Sequence, residues 1–250
     1  MHKPEDEAVE QFADVAGRKI WTRLVGHGPA VVLCSGAGAA SVGNWPEIER
    51  EAARFATVVT YDRAGTGRSD APDVAPTAYD MAEELTAVLN SLAINRPVIL
   101  VGFSMAAFLV QLFACRSPAE VAGLILLDPL PDEFLAQLVD QPPVVRASLR
   151  AKTAEAPYAS PALTLETEKS IESAVQVRAA LAGSGLLDVP LVVLAIEHPE
   201  PSGLGRSHAA IARRSAKGRL ILVRGTSHLT MRRDKAQLIV DLIREMCANP

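Results

Sequence analysis

The chain has no uninterrupted apolar run of the roughly 18 residues that a membrane-spanning helix requires. Its opening, Met1-His2-Lys3-Pro4-Glu5-Asp6-Glu7, lacks the cationic start and apolar segment of a secretory signal and is acidic and polar instead. Cysteine is scarce: Cys34, Cys115 and Cys247 are odd in number and show neither short pairing nor metal-ligand spacing. A reducing cytoplasm is therefore expected, and a disulfide framework is not. The formal net charge is only −4, with no basic field to attract nucleic acid and no acidic block to form a solvated tail. No cluster of His, Cys or carboxylate residues has metal-ligand spacing, so neither a metal nor another cofactor is implied.

What is present is apolar mass arranged in alternation. Hydrophobic residues make up 49% of the 250, enough for a sizeable core in one domain spanning 1–250. Val9 to Val15 and Lys19 to Val25 read as a hairpin about Gly17. Ala30 to Cys34, Thr57 to Tyr61, Pro97 to Val101, Val121 to Leu127, Pro190 to Ile196 and Arg219 to Val223 read as buried strands. Helices are expected at Trp45 to Phe55, Tyr79 to Leu92, Ser104 to Cys115, Ser207 to Ser215 and Lys235 to Cys247. This is the pattern of an α/β fold, a mainly parallel sheet flanked by helices. One interval breaks it. Pro129 to Asp188 is far longer than the ~4 to 6 residues of an ordinary connection and carries short helical patterns at Glu133 to Val139 and Leu165 to Leu181. It is expected to form a small helical cap between two strands.

The chemistry concentrates at three strand ends. Gly102-Phe103-Ser104-Met105-Ala106 lies between the apolar run Val98 to Val101 and a helical stretch, which puts Ser104 on a sharp strand-to-helix turn with the Met105 amide beside its hydroxyl. Val58 to Tyr61 runs into Asp62-Arg63-Ala64-Gly65-Thr66-Gly67-Arg68-Ser69, a glycine-punctuated turn. Leu220 to Val223 leads to Gly225-Thr226-Ser227-His228. A serine nucleophile needs a base, and His228 alone among the five histidines follows a late strand where the topology returns to the nucleophile. His2, His27 and His208 read as solvated surface residues, as do the pairs Arg213-Arg214 and Arg232-Arg233.

Tyr-Asp-Arg-x-Gly-x-Gly-x-Ser, then Gly-x-Ser-x-Ala, then Gly-x-Ser-His, in that order, resembles the α/β-hydrolase superfamily from about Val9 to the last helix. The resemblance implies a catalytic triad in which Ser104 attacks, His228 is its base and a carboxylate orients the imidazole. The usual acid position falls on His198, beside Glu197. A minority of relatives place the acid one strand earlier, which here is Asp128, the preferred candidate, with Glu197 the alternative. The resemblance also implies an oxyanion hole. Met105 supplies one amide and Ala37 the other, from Ser35-Gly36-Ala37-Gly38, where the family more often has His-Gly-x-Gly.

The implied function is a cofactor-independent serine esterase or lactonase acting on a small to medium apolar small-molecule substrate, the apolar preference being read from the cap's composition with Phe134 and Tyr158. Non-hydrolytic chemistry on the same fold (carbon-carbon cleavage, acyl transfer or cyclisation) is the alternative, with a ligand-binding protein behind it. Gly36-Ala37-Gly38 followed by Asp62 also offers a faint dinucleotide-binding pattern, which accounts for neither Ser104 nor His228. Asp62, Arg63, Gly65, Gly67 and Ser69 read as architectural, with charges pairing inside their own turn. Trp45 and Phe103 read as core, with lining of the pocket as the alternative.

Overall fold

The computed structural model describes residues 8–142, 160–185, 187–198 and 203–248. Its strands are β1 (Val9–Val15), β2 (Arg18–Val25), β3 (Ala30–Cys34), β4 (Thr57–Tyr61), β5 (Val98–Phe103), β6 (Val121–Leu127), β7 (Leu191–Ile196) and β8 (Gly218–Val223). They form one sheet in the order β1-β2-β4-β3-β5-β6-β7-β8. The β1–β2 hairpin turns at Ala16 and Gly17, whose φ values of 52° and 83° suit the tight turn that matches strand twist. β2 joins β4 antiparallel, and every pairing from β4 to β8 is parallel.

The central strands are apolar on both faces because both faces are covered. Val31, Leu33, Ile99, Val101, Ile125 and Leu127 pack with Ile48 and Ala52 of α1 (Pro46–Ala52) and with Ile239 and Ile243 of α9 (Ala236–Ala248). Val32, Leu100, Leu124 and Leu126 face the opposite layer, with α2 (Ala78–Ser91), α3 (Ala106–Arg116) and residues Ala174 and Val177 of α6 (Ser170–Ser184). Each such fully buried Leu or Ile contributes roughly 1.5–3 kcal/mol.

The remaining α-helices among the described residues are α4 (Asp132–Ala136), α5 (Pro161–Glu168), α7 (Leu204–Ala212) and α8 (Met231–Asp234). Several ends differ from expectation for local reasons. Pro46 opens α1 at its first turn, where the missing N–H costs nothing. The helix after β5 begins at Ala106 because Ser104 is left-handed. The pattern from Leu165 to Leu181 is two helices, broken at Lys169, whose φ of −102° and ψ of 15° leave the α region. Of the interval Pro129 to Asp188, residues 143–159 (with Tyr158) and 186 lie outside the described set, as do Met1 to Glu7 (with His2).

The topology selects the site. From β3 the chain moves to β4 on one side, then crosses to β5 on the other, so the strand order reverses at β3. Ligand crevices in such sheets form at the carboxyl ends of the strands flanking this reversal. Here those ends carry Ser35-Gly36-Ala37-Gly38 and Ser104.

Candidate active site

Ser104 has φ 56°, a left-handed conformation that costs a non-glycine residue about 1–3 kcal/mol and persists only where its surroundings impose it. The sheet imposes it here. The Ser104 amide donates to Leu127 O at 3.0 Å, and the Leu130 amide donates to Ser104 O at 3.2 Å, tying the turn to β6 and its exit. Gly102 makes the turn possible from below: a Cβ there would lie 2.8 Å from Val110 Cγ2 and 3.1 Å from Ala106 O. The small Ala106 stands in the same close approach of strand and helix.

His228 brings its imidazole across to this turn. Its Nε2 lies 3.0 Å from Ser104 Oγ, and its Nδ1 lies 2.6 Å from Asp128 Oδ2. The ring is stacked on Phe103, centroids 4.8 Å apart. Asp128 is itself held in a left-handed turn, φ 41°, by its amide donating to Leu194 O at 2.7 Å, while its Oδ1 accepts from the Ile196 amide at 3.2 Å. Burial pushes the Asp128 carboxyl up, but the bonds from His228 and the Ile196 amide and the neighbouring imidazoles outweigh it and hold the group below the ordinary aspartate range. An ionised carboxylate at Nδ1 keeps the proton on that nitrogen and leaves Nε2 free to accept from the serine hydroxyl.

Glu197 is elsewhere. It faces solvent and pairs through both oxygens with Arg224, at 2.7 Å for Nη2 to Oε1, and that hydrogen-bonded guanidinium lowers its pKa. The two acids left open by sequence are thus separated by geometry: Asp128 meets His228, and Glu197 meets an arginine.

The loop after β3 carries Ala37. Neither the Ala37 nor the Met105 amide donates to another described residue. Gly36 lets the loop lie directly on Ser104, since a Cβ there would fall 3.2 Å from Ser104 Cβ. Ser35, standing where relatives more often have histidine, is fully buried, and its hydroxyl accepts from Trp45 Nε1 at 3.0 Å and Arg232 Nη1 at 3.4 Å. Asp62 supports the far end by accepting from the amides of Ser41, Val42 and Arg68, and Gly67 is required because a Cβ would fall 2.0 Å from Asp62 Oδ2.

Three expectations are corrected. Arg63 does not pair inside its own turn: it is buried, donates to Glu166 Oε1 at 2.6 Å and Oε2 at 2.9 Å, and also donates to Ser35 O at 2.8 Å and Gly36 O at 2.9 Å. Burial alone would lower the Arg63 pKa, but the Glu166 carboxylate against it raises it. His208 is not a surface residue but 2% exposed, with Nε2 3.1 Å from Pro129 O, and burial depresses its pKa. Arg232 and Arg214 are not free solvated faces. Arg232 lies over the Trp45 and Phe103 rings at 4.9 and 4.7 Å, and Arg214 bonds the buried Asp132 and Gln111.

Glu166 escaped sequence reading altogether. The available signal was its position three residues beyond the apolar Leu163, on the same buried helix face. The Gly38 amide, which a dinucleotide-binding loop would turn toward phosphate, donates to the Glu166 carboxylate, and α5 lies so close that a Cβ on Gly38 would fall 2.5 Å from Leu163 Cα. Among the described residues, no group of three or more His, Cys, Asp or Glu is arranged to hold a metal, and no helix is long and apolar enough to cross a membrane.

Comparison with known proteins agrees with this architecture. The chain is 30% identical over 102 residues to the uncharacterized protein YqjL of Bacillus subtilis (41% of this chain, 40% of that one). It is 39% identical over 102 residues to RutD of Pantoea ananatis, named as a candidate carbamate hydrolase (39% and 35%). These matches span about two fifths of the relatives' own lengths. A thermophilic esterase from Thermogutta terrifontis superposes with a TM-score of 0.71 over 96% of this chain and 99% of that one, at 19% identity, a likeness of fold. The model of the alpha/beta hydrolase family matches residues 31–242, which include the serine turn, Asp128 and His228, and the chain belongs to that family.

Proposed function

We propose that this protein is a serine hydrolase that cleaves a carboxylic ester or lactone of a small to medium apolar substrate, without a cofactor and in a reducing cytoplasm. The observation that carries the reading is the unbroken chain Ser104 Oγ, His228, Asp128, at 3.0 and 2.6 Å, on a serine held at positive φ. In the reaction His228 Nε2 takes the hydroxyl proton as Ser104 Oγ bonds to the substrate carbonyl carbon. The resulting oxyanion sits on the amides of Ala37 and Met105, and Asp128 stabilises the imidazolium. Collapse expels the alcohol, which receives the proton from His228. Water, deprotonated by the same imidazole, then releases the acid from the acyl-enzyme.

Residues 129–188 serve as the cap. The contact of Leu163 and Glu166 with the loop over Ser104 supports that role. Support for hydrolysis of an acyl-type bond also comes from the name of a relative, a candidate carbamate hydrolase. The test is intact mass and peptide mapping after exposure to a fluorophosphonate, followed by an ester and lactone panel. A single adduct on Ser104 that is absent from His228→Ala, together with ester turnover, is expected. A folded protein that takes no adduct and turns over no ester overturns the reading.

A further inference from the structure

We propose that Glu166 is a positioning residue for the oxyanion loop, so that the Ala37 amide is aimed only while α5 of the inserted segment is seated on Ser35-Gly36-Ala37-Gly38. The inference deepens the serine-hydrolase reading and rests on it.

The argument begins with one peptide plane. Gly36 O and the Ala37 N–H belong to the same planar trans unit, so whatever holds the carbonyl sets the direction of the N–H, which points the opposite way. Arg63 Nη2 holds that carbonyl at 2.9 Å, and Arg63 Nη1 holds the preceding one, Ser35 O, at 2.8 Å. A guanidinium on the carbonyl also polarises the peptide, which strengthens the N–H at its other end as a donor. Arg63 can do this only if its own position is fixed. Glu166 fixes it by accepting from Nε and Nη2, in the forked geometry that suits a carboxylate.

The same carboxylate accepts from the Gly38 amide, so the Gly36–Ala37 peptide is held from both sides, by Arg63 before it and by Glu166 after it. Both partners are buried, with side chains 3% and 0% exposed. Nothing in the Ser35 to Gly38 sequence could provide this, since none of its side chains is charged. The residue that does provide it comes from α5, more than a hundred positions further along the chain, at a point where Gly38 admits the backbone of Leu163. Withdrawal of α5 would take the carboxylate from Arg63 and Gly38 together and leave Ala37 unaimed while the Ser104–His228–Asp128 chain stays intact. Seating of the inserted segment is thereby coupled to stabilisation of the oxyanion, a step made in the transition state more than in substrate binding.

The test compares Glu166→Gln, which places an NH2 group before donors, with the double variant Arg63→Gln/Glu166→Gln, which removes both buried charges and so preserves folding if the single variant does not. Three quantities are measured: kinetics on an activated ester, inhibition by a trifluoromethyl ketone that forms a tetrahedral adduct on Ser104, and hydrogen exchange of the Gly38 amide. In Glu166→Gln, kcat is expected to fall about 10–100-fold with KM within roughly threefold. Affinity for the ketone should weaken by the same factor, and Gly38 exchange should quicken by at least about tenfold. The double variant is expected to share the kcat and ketone losses. A lowered melting temperature with kcat and ketone affinity unchanged in either folded variant overturns the proposal, because Glu166 would then only stabilise. Unchanged Gly38 exchange in Glu166→Gln overturns it as well. If the unsubstituted protein neither takes a fluorophosphonate on Ser104 nor turns over ester, the hydrolase reading fails by itself, and the exchange measurement still decides whether Glu166 holds the loop.

Discussion

The two halves of the site are built by different means. Ser104, Asp128 and His228 stand at the ends of β5, β6 and β8 or in the loops just beyond, and the backbones of the first two are held by the sheet itself: Ser104 by Leu127, Asp128 by Leu194. The loop of Ala37 has no such ladder. It is held by side chains from remote segments, by Arg63 and Glu166 on one side and by Trp45 and Arg232 on the Ser35 hydroxyl. A turn tied into a sheet is rigid because neighbouring backbone bonds must break with it, whereas a loop held by a few remote side chains depends on those contacts being made. The half that carries Ser104 is therefore the fixed one and the Ala37 loop the adjustable one.

The largest expected effect tests the fixed half. Ser104→Ala should lower ester turnover by roughly 10³- to 10⁶-fold with an unchanged melting temperature, measured by steady-state kinetics and calorimetry. A folded variant that keeps its rate would remove the basis of the comparison. Next, Asp128→Asn should cost on the order of 10³–10⁴ in kcat by favouring the wrong imidazole tautomer, while Glu197→Gln should change it by less than about twofold. Equal losses in the two would mean that the acid is not the one that meets His228.

The supporting half has its own pH signature. Glu84 is buried behind the Arg63 turn, where it accepts from the Ala64 amide, and burial pushes its carboxyl up from 4.5 to about 7. The folded state thus keeps this proton longer than the unfolded chain does. Its contribution is complete below the unfolded value and declines as pH rises from 4.5 to about 7. Glu84→Gln retains an acceptor for Ala64 and should flatten that decline, leaving the variant more stable at pH 8 by roughly 3 kcal/mol in urea unfolding. Asp128 has the opposite sign. Its carboxyl is depressed, so its contribution is present above the unfolded value and lost as acid brings the pH down through the folded one. The smallest effect is steric: Gly102→Ala places a methyl against Val110 and Ala106 and should destabilise the fold by about 1–3 kcal/mol, read from the urea midpoint.

Legibility followed the range of the interactions involved. The strands β3 to β8 were readable because burial on both faces leaves short apolar runs, and Ser104 and His228 were readable because each directly follows such a run. Helix ends were displaced by a few residues where a cap or a left-handed residue intervened, as at Ser104 itself. His208 was misread because an amphipathic helix does not reveal that a loop carbonyl, Pro129 O, will meet its polar edge. Arg63 was seen, but its partner was not.

By itself the sequence determined the mainly parallel sheet, the order of its motifs and the places of Ser104 and His228 beyond strand ends, because these depend on patterns local enough to survive without a third dimension. Tertiary structure alone decided that Asp128 rather than Glu197 meets the imidazole, and that Glu166 reaches Arg63 and Gly38. Those pairings span 100, 103 and 128 positions of chain, and proximity over such distances is a consequence of how the sheet and the inserted helices pack.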